Sequence, residues 1–266
     1  MLSRALVTVL SALFLLIAAP QGIEAASAVI DKSSLGQGII TVNYPDNKDA
    51  KAIVRIAKGS VKYDYALVKG GRYPLQLGNG SYSVLIAEAA EGSKYKVIAQ
   101  ESLDLKLDNE NAVFLQSIPM IDWKPESKPV VEAKALTAGG GSDKDKVAAI
   151  YAYITKHFTY DYEKASGVDA GYLPQLDEIY DASKGICYDF AATFAAMARS
   201  VDIPTRLVMG YANEAPDTYH AWNQVFLKES GEWITIDTTY DAVRLQNGQE
   251  TPLVKDAKDY TVSKIY

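Results

Sequence analysis

Hydrophobic patterning changes period along this chain, and the first change limits the possible folds more than any other feature. From Gly38 to about Trp123, short segments alternate apolar and polar residues, among them Ile40-Val42-Tyr44, Ile53-Arg55-Ala57, Val61-Tyr63-Tyr65 and Val84-Ile86. Period two sends successive side chains to opposite faces, so these segments predict strands. Turn-forming residues fall between them: Pro45-Asp46-Asn47, Lys58-Gly59-Ser60, Lys69-Gly70-Gly71, Gly78-Asn79-Gly80 and Glu91-Gly92-Ser93. Strands this closely spaced predict a small antiparallel β-sandwich, immunoglobulin-like, over residues 29–123. Its tyrosines are expected to pack and pair across strands.

Beyond Trp123 the alternation stops. Pro125, Pro129, mixed charges and then Gly139-Gly140-Gly141 read as a linker over 124–141. Ser142 and Asp143 can cap a helix, and Val147, Ile150, Tyr151 and Ile154 share one helical face up to about His157, so a second domain is expected over 142–266. Thr159 to Lys184 carries Gly167, Gly171 and Pro174 and predicts turns and short helical pieces. Phe190, Phe194, Met197 and Val201 then form an apolar stripe on a helix from about Cys187 to Asp202, ended by Pro204. Ala191, Ala195 and Ala198 on the adjoining side permit close approach by other elements. Three strand-like runs follow, Arg206 to Tyr211, Tyr219 to Leu227 and Trp233 to Asp237, with Glu229-Ser230-Gly231 as the turn between the last two. Strands first, then a helix before an antiparallel set, make the expected class α+β.

Charge and the chain's first segment narrow the possible partners. Twenty-seven Lys and Arg against thirty-three Asp and Glu give a net charge of -6, with no basic block, so nucleic acid is not an expected partner. Arg4 precedes an uncharged, mostly apolar run from Ala5 to Ala19, followed by Pro20, Gly22 and the small residues Ala25-Ala26-Ser27-Ala28. This is the organisation of a secretory signal peptide over 1–28, and the run is shorter than the roughly 20 residues a membrane span needs. No Cys follows it, so a lipoprotein signal is not indicated. The mature chain is expected to begin near Val29, outside the cytoplasm and with no membrane segment after signal cleavage.

The chain has a single cysteine, Cys187, which excludes an intramolecular disulfide and leaves a thiol that is either buried filler or reactive. Its predicted place in the first turn of a helix favours a nucleophile, because unpaired backbone N–H groups and the positive dipole end lie there. The same N–H groups could donate to an oxyanion formed at an attacked carbonyl. Two histidines are available as a base. His157 falls at a predicted helix C-terminus, where capping accounts for it. His220, in Tyr219-His220-Ala221-Trp222 at a strand start, could take the thiol proton and return it to a leaving amine, although strand histidines also pack without chemistry. Asp237 ends the next strand; hairpin pairing sets residues near 223 opposite residues near 237, within reach of His220, while an acidic strand end also serves as a turn former.

Taken together, Gly185-Ile186-Cys187-Tyr188-Asp189-Phe190-Ala191, Arg199, Ile203-Pro204-Thr205-Arg206, Val208-Met209-Gly210-Tyr211, Tyr219-His220-Ala221-Trp222 and Trp233-Ile234-Thr235-Ile236-Asp237-Thr238-Thr239 resemble the core of the transglutaminase-like superfamily over roughly residues 143–241. The resemblance implies a papain-like α+β core with Cys187 as nucleophile, His220 as general base and acid, and Asp237 as orienting carboxylate. It implies a secreted thiol-dependent acyl transferase or hydrolase acting on protein or peptide amides. A cysteine peptidase or amidase of the same fold, or a non-catalytic cell-envelope binding protein, are the alternatives. Members of the superfamily also place an upstream aromatic or amide side chain at the oxyanion, and Tyr172 and Gln175 stand in that region. No calcium-loop pattern, metal-ligand spacing or phosphate loop is present, so no metal or cofactor is expected.

Overall fold

The structure, a computed structural model, describes residues 29–44, 51–90, 94–169 and 171–266. The expected leader over 1–28 and the expected turns Pro45-Asp46-Asn47 and Glu91-Gly92-Ser93 lie outside the described residues.

Seven strands form the first unit: β1 (Ile30–Asp31), β2 (Ile39–Val42), β3 (Ala52–Lys58), β4 (Val61–Ala66), β5 (Gly71–Pro74), β6 (Gly80–Ala89) and β7 (Tyr95–Leu105). They make two antiparallel sheets, ordered β1-β2-β5 and β4-β3-β6-β7. Period-two patterning sets which residues turn inward. In β3, Val54 and Ile56 are fully buried and pair with Ile86 and Val84, while Arg55 turns outward to the Asp64 carboxylate of β4 at 2.6 Å. Both sheets contribute to one core that includes Ile40, Tyr73, Tyr82 and Ile86. The buried tyrosines keep their hydroxyls bonded: Tyr82 donates to the Leu75 carbonyl at 2.9 Å, and Tyr73 accepts from the Val68 N–H at 2.8 Å.

The stretch read as a linker contains a helix, α1 (Lys128–Leu136), with Val130 and Ala133 fully buried. Pro129 looks like a breaker in sequence, yet it occupies the first helical turn, where its missing N–H costs nothing. The three glycines follow that helix, with Gly140 at φ 75°, a left-handed conformation.

The second unit continues with α2 (Asp143–His157), β8 (Thr159–Tyr160), α3 (Tyr162–Ala165), α4 (Leu176–Ala182), β9 (Lys184–Gly185), α5 (Cys187–Arg199), β10 (Thr205–Ala212), β11 (His220–Leu227), β12 (Glu232–Ile236), α6 (Thr238–Gln246) and β13 (Tyr260–Ile265). Ser142 caps α2, its Oγ accepting from the Asp145 N–H at 3.2 Å while Asp145 accepts from the Ser142 N–H at 3.0 Å. The sheet runs β12-β11-β10-β13 and is antiparallel throughout.

Helix α5 is buried almost all round, and its two faces do different things. Phe190, Phe194 and Met197 pack with Val147, Ile150 and Ile154 of α2 and with Ile236. The opposite face carries Ala191, Ala192, Ala195 and Ala196, which join the core of the N-terminal sheets. Small side chains let the two units close onto one another, so the thiol-bearing helix is the shared wall. Arg199, 2% exposed, ties the junction together: Nε donates to Thr205 O at 2.9 Å, Nη1 to Gln116 O at 2.5 Å and Nη2 to Tyr266 O at 3.1 Å. Burial depresses its pKa to about 9.

Candidate active site

Cys187 is the first residue of α5 and is partly buried. A two-residue parallel pairing sets its position: Tyr160 of β8 lies opposite Gly185 of β9, and the Asp161 N–H donates to Gly185 O at 2.8 Å. A side chain at Gly185 could not fit, since its Cβ would lie 2.6 Å from that of Asp189. Asp189, fully buried, accepts from the Ile186 N–H at 2.9 Å, from Lys164 Nζ at 2.5 Å and from the Tyr172 hydroxyl at 2.6 Å. The start of the helix is thereby held by a carboxylate that satisfies an otherwise orphaned N–H.

His220 opens β11 and is 3% exposed. Its Nε2 lies 2.7 Å from Asp237 Oδ2. Cys187 lies near enough for its side chain to act on the imidazole, leaving Nδ1 as the ring nitrogen not taken by Asp237. Burial pulls the imidazole pKa down, but the charge and hydrogen bond of Asp237 and the hydrogen bond and charge of Cys187 push it up, to a net value of about 10. Tyr240 stacks on the ring at 4.2 Å and 9°. Trp222, two residues along the strand, lies 6.1 Å away on a near-parallel plane.

Asp237 directly follows β12, and the hairpin register places Asn223 opposite Ile236, one residue from the expected pairing. The expectation of a strand end or turn was incomplete, because Asp237 also caps α6, its Oδ1 accepting from the Thr239 and Tyr240 N–H groups at 3.1 Å each. Its other oxygen takes His220 and the Tyr260 hydroxyl, at 3.1 Å. His220 and Asp237 are therefore brought into contact, with Cys187 near enough to act on the imidazole. His157 is elsewhere, at the end of α2 with its ring 4.6 Å from Tyr153.

The two side chains considered for the oxyanion are engaged elsewhere. Tyr172 donates to Asp189 and has Lys164 Nζ 4.3 Å above its ring. Gln175 is exposed and donates to Leu173 O at 3.2 Å. Two hydroxyls feel the thiol, those of Tyr160 and Tyr240; the Tyr160 pKa is pushed up to about 12 by burial and then by the charge of Cys187. Sequence reading missed Tyr160, Lys164, Tyr240 and Tyr260. Of these only Tyr240 left a signal: reading Asp237-Thr238-Thr239 as a helix cap would have put it in the first turn beside the cap. A surface cavity of about 1070 Å³ is lined by Lys164 and Tyr172, the side chains bonded to Asp189, among other residues, though not by Cys187.

Set against known proteins, the second unit has a clear match. Residues 132–238 match the transglutaminase-like superfamily. The matched stretch starts inside α1 and ends just past Asp237, so it takes in the second half of the helix that lies in the expected linker. A kyphoscoliosis peptidase of Mus musculus is 31% identical over 108 residues, covering 37% of this chain and 16% of its own length. A protein-glutamine gamma-glutamyltransferase of Pseudomonas aeruginosa is 31% identical over 107 residues, covering 35% of this chain and 15% of its own. The chain spans less than a quarter of the length of the curated relatives it matches. Among solved structures, the periplasmic domain of TgpA from Pseudomonas aeruginosa aligns at a TM-score of 0.43 and 18% identity, over 75% of this chain and 93% of that one. Over residues 132–238 the second unit is thus similar to the transglutaminase-like superfamily, and the described chain as a whole is a mixed α/β arrangement with several antiparallel sheets. Among the described residues no helix is long and apolar enough to cross a membrane.

Proposed function

We propose that the protein is a thiol acyl-transfer enzyme acting on protein or peptide amides outside the cytoplasm, with Cys187, His220 and Asp237 as its triad. The observation that supports this reading is the buried His220 imidazole bonded to the Asp237 carboxylate at 2.7 Å, with Cys187 at the start of α5 close enough to act on the ring. Cys187 Sγ attacks the amide carbonyl carbon, and the carbonyl π electrons move onto oxygen. The oxyanion is met by N–H groups of the first turn of α5, with the Tyr160 hydroxyl as a second donor. As the tetrahedral centre collapses, the C–N bond breaks and His220 protonates the departing amine. The remaining thioester is cleaved by an amine, which crosslinks, or by water, which hydrolyses.

Amine transfer is the leading outcome, in line with the activity named for the Pseudomonas aeruginosa relative. Hydrolysis is the second reading, in line with the name of the mouse peptidase. The N-terminal sheets, read as an immunoglobulin-like sandwich, would position the substrate or a cell-envelope partner. Mature protein and a Cys187→Ala variant, incubated with casein and a fluorescent primary amine, separate these outcomes. Cys187-dependent incorporation of the amine supports transfer, and Cys187-dependent fragmentation without incorporation supports the peptidase. Absence of both counts against the enzyme and in favour of a binding protein.

A further inference from the structure

Asp237 is surrounded by donors from three elements. Oδ1 takes two N–H groups of α6, and Oδ2 takes His220 Nε2 and the Tyr260 hydroxyl. An ionised carboxylate has about four acceptor sites, so these donors fill it. Three of them come from the hairpin and the helix that directly follows it, within or just past the end of the stretch that matches the superfamily. The fourth comes from β13, more than twenty residues further on.

We infer that Tyr260 is a positioning residue for this triad, and that it is delivered by a strand which the N-terminal sheets help to hold. The inference rests on the acyl-transfer reading for its catalytic meaning and on geometry for the rest. Tyr240 fixes the plane of the His220 ring by stacking, and Asp237 fixes its rotation within that plane. Rotation of the carboxylate is in turn fixed by the cap to α6 and by Tyr260. The phenol is wedged against Trp222 at 4.9 Å, so its hydroxyl is aimed rather than free. Burial and then the neighbouring Asp237 charge raise the Tyr260 pKa, which keeps the hydroxyl a donor.

β13 reaches this position by an unusually close approach to β10. A Cβ on Gly210 would lie 2.0 Å from Thr261 O, so glycine is needed where β10 passes the residue that follows Tyr260. The far end of β13 is fastened to β4: Lys264 Nζ donates to Lys62 O at 2.8 Å, the Ile265 N–H to the Tyr63 hydroxyl at 3.1 Å, and Tyr266 packs edge-on against Tyr63 at 5.4 Å. A continuous set of contacts thus runs from the N-terminal sheets through β13 to the triad carboxylate.

Tyr260→Phe tests the inference, because it removes the hydroxyl and keeps the ring against Trp222. The phenol O–H takes up part of the Asp237 charge, and without it more of that charge acts on the imidazolium. The groups facing His220 are otherwise unchanged: Cys187 of α5, Tyr240 of α6 and Asp237 itself, with Glu214 and Asp241 near the phenol. The His220 titration, followed by its imidazole proton resonances in the intact protein, is expected to move up by about half to one pH unit, the size set by one hydrogen bond. On the amine-incorporation assay, kcat should fall several-fold with KM unchanged. An unmoved or lowered midpoint overturns the inference and leaves Tyr260 a packing residue. Failure of the acyl-transfer reading shows separately, as a wild-type Cys187 that iodoacetamide alkylates no faster than a free thiol, whatever the titration shows.

Discussion

Asp237 bonds His220 through Oδ2 at 2.7 Å while its Oδ1 caps the helix that begins one residue later. One carboxylate therefore orients the imidazole and starts α6, and the rigid helix keeps the oxygen aimed.

Asp237→Asn separates these two jobs. Asn caps helices as well as Asp, so α6 should survive with little loss of stability. The amide N–H₂ can now face His220, which favours the wrong tautomer, and turnover should fall by roughly 10² to 10⁴-fold. The variant also lowers the His220 titration midpoint from about 10 toward the ordinary value of 6.5. Because the folded-state value lies above the unfolded one, the pair's contribution to stability is fully present below about pH 6.5 and is lost as pH rises through about 10. Urea unfolding at pH 6 and pH 10.5 checks this: the wild type should lose stability over that interval, and the variant should lose much less.

How much of this could be read from sequence depends on the range of each contact. The thiol-bearing helix and the His220 hairpin follow local periodicity, and the pairing register came out one residue away, Asn223 with Ile236. The α1 helix was obscured by Pro129 and by the triple glycine, both of which turn out to belong to helix ends. Tyr160 is set opposite Gly185, two residues before Cys187, by a two-residue parallel pair, too short to leave a periodic signal. Tyr260 reaches Asp237 only once β13 is laid against β10, a placement that no neighbouring residue announces. That the two units share a core was hinted at by Ala191 and Ala195, but which surface would approach them was not, and Ala198, expected on the same side, packs with the α2 face instead.

Gly210→Ala should destabilise the protein by about 1–3 kcal/mol, as overpacking does, since the new methyl must displace Thr261 O from 2.0 Å. Denaturant unfolding checks the magnitude. Because the displaced segment is β13, the His220 titration should shift in the same sense as in Tyr260→Phe.

Tyr160→Phe should lower kcat by up to about 10²-fold with little change in stability, as loss of one oxyanion donor does. Tyr172→Phe should act differently, loosening the Asp189 cluster and altering kcat by less than about threefold. Steady-state kinetics on a peptide amide compares the two, and an equal effect of both would argue against Tyr160 as the donor.

Asp189→Ala should cost about 1–3 kcal/mol, because it leaves the Ile186 N–H unsatisfied at a buried helix start and frees Lys164. Unfolding measurements should show this loss even in a Cys187→Ala background, since the role is to hold α5.

The central claim is that His220 and Cys187 act as a pair, and the single cysteine makes it directly measurable. Iodoacetamide alkylation at pH 7, followed by intact mass, should proceed at least about tenfold faster in the wild type than in His220→Ala. Equal rates in the two proteins, both no faster than a free thiol, would contradict the account.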